Sequence, residues 1–219
     1  MGIVARSSSI VRFVAAVPAR FEREAIARAV SRRAFRALDG EGVQAFGWVG
    51  IHDPLVTELT PADLFLQDRL AVGFRYDRRV VPPKLVQLER RREEAARRAA
   101  DPDGRLGREA RKEIKVEVEA RLLLRALPAP RLYDCIWNLA AGHVYFTGRL
   151  RAAREAFTAL FRDTFGVTPV PLIPYLALDR LGLPSRAVER LRSVEPAALA
   201  VPAREPAVPH LPLLEEAGA

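Results

Sequence analysis

Cysteine occurs once, at Cys135, which rules out an internal disulfide framework and fits a reducing compartment. No apolar run approaches the roughly 20 residues that a bilayer span requires. The opening MGIVARSSSIVRFVAAVPA is interrupted by Arg12, so it reads as a strand rather than a signal peptide. The expected location is the cytoplasm, without membrane contact. Gly-rich loops of the GxGxxG kind, or GxxxxGK followed by Ser or Thr, are also missing, so nucleotide hydrolysis and Rossmann-type cofactor binding have no anchor. His52, His143 and His210 lie far apart in sequence, without the short spacing that makes a ligand pair, and read as ordinary surface or turn residues. Cys135 sits between Asp134 and Ile136 in a strand-like run, with no nearby histidine to activate it. The expectation is a protein with no catalytic residues, no metal and no cofactor.

Lysine is scarce too, appearing only at 84, 112 and 115, yet Lys and Arg together number 35 against 27 Asp and Glu. The net charge of +8 and the pI near 10.4 favour polyanionic partners, nucleic acid or an acidic surface. Guanidinium suits bidentate phosphate contacts, although a GC-rich genome is the simpler account of the Arg:Lys ratio; it leaves the net charge unexplained.

Along the chain, SSSIVRFVAA (8–17) reads as a first strand. Residues 21–38 form an amphipathic helix, with Ile26, Val30, Ala34, Ala37 and Leu38 on one stripe and Asp39–Gly40 as its stop. VQAFGWVGI and DRLAVGFRY follow as strands, then Pro82 and Pro83 introduce a charged segment that breaks at DPDG, 101–104. Two helices joined there make a projecting hairpin, supported by Glu93/Arg97, Glu94/Arg98 and Glu117/Arg121 at helical spacing. After Pro128 and Pro130, taken as breakers, RLYDCIWNL and HVYFTG form a β-hairpin about Ala140–Gly142. A helix over Leu150–Thr164 and an edge segment VTPVPLIPYLAL follow. Trp48 and Trp137 lie in apolar strand patterns and belong to the core. The division expected is 1–82, first half of an α+β core; 83–127, hairpin; 128–180, second half; 181–219, a short helix at Ser185–Val194 and a mobile Pro/Ala-rich tail. The fold class is α+β: an antiparallel sheet with packed amphipathic helices and the charged hairpin standing off it.

Between Lys84 and Arg125 there are thirteen basic and nine acidic residues, so this stretch holds half the net charge. Arg90, Arg91, Arg97, Arg98, Arg105, Arg108, Arg111, Lys112 and Lys115 are the candidate phosphate-contacting residues, those around the tip forming one basic face. The bland alternative is a solvated helix pair stabilised by mixed charge.

The run GRLGREARKEIKVEVEARLLLRAL (104–127) resembles the RdgC family's GRKLGRKEKKELKEEV-type run with its LLPRAF ending. GWVGIHD is similar to its GWVPP segment, RRVVPPKLVQLE to its KLLPASVV-type entry, and LYDCIWNL onward to its strand, turn, strand, helix and VVPL order. The likeness covers roughly 8–172. It implies a sequence-nonspecific binder of duplex DNA, a homodimer closed into a ring with a basic hole, antagonism of RecA, a nucleoid location, no cofactor and no catalysis. Leu124 and Leu127 stand where the family has proline and an aromatic, and mark a candidate inter-subunit contact. The family continues beyond VVPL, so this chain is expected to be shortened at its C-terminus, with an open assembly, a different oligomer or a need for a partner as the result. The competing expectation is a protein-interaction module that kept the core without DNA binding.

Overall fold

The protein is described from a computed structural model, which covers residues 9–18, 21–100, 106–173 and 182–194. The chain divides into two compact units, 1–176 and 177–219. The first contains β1 (Val11–Val14), α1 (Arg23–Arg32), β2 (Gln44–Val49), α2 (Pro61–Leu64), β3 (Phe65–Leu66), β4 (Arg69–Arg79), α3 (Pro83–Ala100), α4 (Arg108–Arg125), β5 (Pro128–Asn138), β6 (His143–Phe146), α5 (Arg151–Phe165) and β7 (Val170–Pro171). The second contributes one described helix, α6 (Ser185–Arg192); the expected tail lies outside the described residues.

All described strands join one antiparallel sheet in the order β2-β4-β5-β6-β1-β7, with β3 pairing the start of β4. Both sides of the charged insertion build it, because β1 pairs β6 from the later half while β4 pairs β5 along its full length. Strand alternation directs Leu70, Val72, Phe74 and Tyr76 of β4 to one face. On that face Phe13, Val144, Trp137 and Leu70 form a row across four strands. α1 contributes Ile26, Ala27 and Val30, and α5 contributes Ala153, Phe157, Leu160, Phe161 and Phe165, to the same core. Phe157 stacks on Phe146 at 4.0 Å and meets Trp48 and Phe74 edge-on. Trp48 Nε1 donates to Thr164 Oγ1 at 2.8 Å, and that hydroxyl donates to the Leu160 carbonyl at 2.6 Å. The buried polar tip of the indole is thereby satisfied, and both tryptophans are core residues.

Three local expectations are corrected. The first helix ends at Arg32 rather than Leu38, because Phe35 N donates to Trp48 O at 2.8 Å and Trp48 N to Arg33 O at 3.1 Å. Ala34, Ala37 and Leu38 therefore leave the helical stripe, and Phe35 is buried with the Arg75 guanidinium 4.2 Å from its ring centroid. That guanidinium also grips buried Asp77 bidentately, at 2.9 and 2.8 Å, and the hydrogen bonds raise the Arg75 pKa. Second, Pro128 and Pro130 lie inside β5. They pair with Arg79 and Asp77 of β4, whereas β6 reaches only Cys135–Asn138. Two residues apart, both ring nitrogens turn to the side that lacks a paired strand, where a missing N–H costs nothing. Third, α2 and β3 were not foreseen. Thr60 N and Oγ1 donate to Asp63 Oδ2 at 2.9 and 2.6 Å, a local cap that starts a one-turn helix too short to show periodicity. The segment 167–178 is at the sheet edge only at Val170–Pro171, paired with β1; from 174 it passes outside the described residues.

The detour after α1 depends on one glycine. A Cβ on Gly47 would stand 2.4 Å from Phe35 Cα, and the contact is backbone, which has nowhere to retreat. Gly47→Ala is expected to cost about 1–3 kcal/mol in urea unfolding, with loss of the protection of the Phe35 amide against hydrogen exchange.

Candidate nucleic-acid interface

The insertion between β4 and β5 is a pair of antiparallel helices. Pro83 opens α3 in the first turn, where the backbone N–H that proline lacks would have no partner in the helix, and α4 is flanked by Gly107 and Ala126, both extended. Ile114 and Val118 are fully buried, one turn apart on α4, while no residue of α3 is buried. The seam is completed by charge. Arg97 of α3 donates to Glu117 of α4 at 2.6 Å, and Arg121 of α4 sits 3.7 Å from Glu93 and 4.0 Å from Glu89 on α3. The expected pairs Glu93/Arg97 and Glu94/Arg98 are present at 3.7 and 3.6 Å. Glu117 and Arg121, however, turn to the opposite helix instead of to each other, since the facing helix offers each a partner at the same level.

Among the candidate residues, Arg90, Arg97, Arg98, Lys112 and Lys115 have carboxylate neighbours: Glu94, Glu93 with Glu117, Glu94, Glu109 and Glu119. Apart from Arg97 with Glu117, these contacts span 3.4–3.9 Å. Partly exposed pairs of that geometry hold weakly and exchange readily. Arg91, Arg108 and Arg111 are exposed and have no carboxylate partner among the described residues, as do Lys84 and Arg125. Arg105 lies outside the described residues. On α4, Arg108, Arg111, Lys112 and Lys115 share the exposed flank beside the Ile114 and Val118 stripe. The arm is thus stitched internally by ion pairs and still carries uncompensated guanidinium groups outward.

The root of the arm holds residues that the sequence reading passed over. Arg79, at the end of β4, donates from Nη1 to the Leu124 carbonyl at 2.6 Å and from Nη2 to the Gly40 carbonyl at 3.1 Å. It places a cation at the C-terminus of α4, where the last carbonyls and the helix dipole favour one. The signal was the basic pair Arg78–Arg79 immediately before the Val-Val-Pro-Pro breaker. Leu124 and Leu127 stand at the same root, Leu127 being 88% exposed.

Elsewhere, burial pushes the Cys135 thiol far above its ordinary range, with the Asp134 charge adding to the effect. Among the described residues, no three His, Cys, Asp or Glu side chains converge as a metal site, and no helix is long and apolar enough to cross a membrane.

Removing the Arg79 clamp tests how the arm is held. Arg79→Ala is expected to lower stability by about 1–2 kcal/mol and to speed amide exchange in the last turn of α4, leaving the sheet amides protected.

No curated protein matches this sequence significantly. A family model described as "Putative exonuclease, RdgC" matches residues 8–177, a span that takes in the sheet, both core helices and the whole charged arm. With well over half of its length matched and its elements in one continuous fold, the chain belongs to the RdgC family.

Proposed function

We propose that this chain is a sequence-nonspecific DNA-binding protein that modulates RecA-dependent recombination or replication on the nucleoid, working without a cofactor and without catalysis. The observation that carries the reading is the outward charge of the arm: Arg91, Arg108 and Arg111 are exposed and free of carboxylate partners among the described residues. Phosphates exchange counterions for such groups, and affinity arises without contact to base edges. The loose ion pairs of Lys112 and Lys115 add cations that a polyanion can draw away from Glu109 and Glu119 at little cost. Arg97 and Arg121 have a different task, since they bind one helix to the other. The exposed Leu127 beside Leu124 is the surface offered for a homodimer.

Gel-shift affinity for random duplex should fall roughly a thousandfold as salt rises from about 50 to about 200 mM, as expected if six phosphates are neutralised. Reversal of Arg91, Arg108 and Arg111 to Glu should abolish the shift and leave the circular dichroism spectrum alone. A salt-indifferent shift, or one that survives the reversal, moves DNA binding off the arm. End-labelled duplex incubated with the protein and Mg²⁺ should remain intact; release of mononucleotides would make the chain a nuclease.

A further inference from the structure

Between α3, α4 and the end of β4 lies a groove of about 730 Å³, large enough for several side chains of a ligand. Its aliphatic lining includes Val80, Val86, Val116 and Leu123. Val80 and Val116 are 57% and 60% exposed, so apolar surface stands uncovered there. Around it are Arg78, Arg79, Arg90 and Lys115, and the one lining carboxylate, Glu119, is 3.7 Å from Lys115. Arg79 and Arg90 each hold a buried Nε that lacks a hydrogen-bond acceptor among the described residues. The Arg90 Nε lies 3.4 Å from Glu94 Oε1, close enough for attraction without a hydrogen bond.

This combination selects its occupant. A phosphodiester backbone would satisfy the cations and leave the valines wet. A second copy of the arm would bring its own surplus of guanidinium groups against a cationic rim, like charge against like. A peptide whose carboxylates flank large aliphatic side chains matches both features: apolar burial supplies affinity, and the rim fixes orientation and speeds encounter. We propose that this groove is the docking site for a short acidic, leucine-bearing segment of a partner protein, a function beyond DNA binding by the outer flank of α4, with which the groove shares Lys115.

The test uses the full chain and a fluorescein-labelled peptide of about twelve residues alternating paired Glu with paired Leu, followed by fluorescence anisotropy at about 150 mM salt. A control peptide replaces every Leu by Ser. The leucine peptide should bind at least tenfold more tightly than the control, and Val116→Asp and Arg78→Glu should each weaken it at least tenfold. Val116→Asp should leave the circular dichroism spectrum and the gel shift of duplex DNA unchanged, which separates failure of the groove from failure of DNA binding. Equal affinity for the two peptides, or binding untouched by Val116→Asp, overturns the proposal. Sedimentation showing that Val116→Asp converts a dimer to a monomer would assign the groove to a second copy and overturn it as well.

Discussion

The backbone ladder between β4 and β5 is the constraint on which the molecule turns. It runs through eleven register pairs, from Arg69 opposite Asn138 to Arg79 opposite Pro128. Chemically it is an ordinary antiparallel pairing, but residues 80–127 are the loop that it closes. Bringing the ends of so long a segment together costs conformational entropy that grows only slowly with length, and the ladder meets that cost with main-chain bonds and with Leu70, Val72 and Phe74 in the core. Once the ends are fixed side by side, two helices leaving them are antiparallel neighbours by construction. Their thin apolar seam, Ile114 and Val118, then suffices where free helices of that composition would separate.

The same logic explains why the arm is a mixture of charges rather than a simple basic strip. With no residue of α3 buried, hydrophobic burial alone does not register the two helices. Glu89, Glu93 and Glu117 do so through Arg97 and Arg121. Carboxylates on the inner edges release the outer arginines from any structural duty. A uniformly basic pair of helices would repel itself, whereas one with acids at the seam holds together and keeps its excess on the outside.

Much of this was legible in the sequence because it rests on periodicity and punctuation. The long strands, the α5 stripe, both core tryptophans and the division of the charged arm into two helices follow from alternation and helical spacing; the DPDG turn expected between them lies outside the described residues. What escaped depends on partners distant in sequence. The end of α1 is set by hydrogen bonds to Trp48, which no local window contains. Pro128 and Pro130 read as breakers because their harmlessness depends on which neighbouring strand is missing. The site was legible as a charged segment, but the sorting of its arginines was not. The i, i+4 rule pairs Glu117 with Arg121, and only the facing helix shows that Arg97 and Glu93 compete for them. For Arg79 the sequence offers only the basic pair Arg78–Arg79; its acceptors, Leu124 and Gly40, are distant in the chain.

That last side chain has a mechanical consequence. Its single guanidinium ties the final turn of α4 to the loop that leads into β2. One side chain thereby couples the base of the arm to Gly40, a few residues ahead of the strand that carries Trp48.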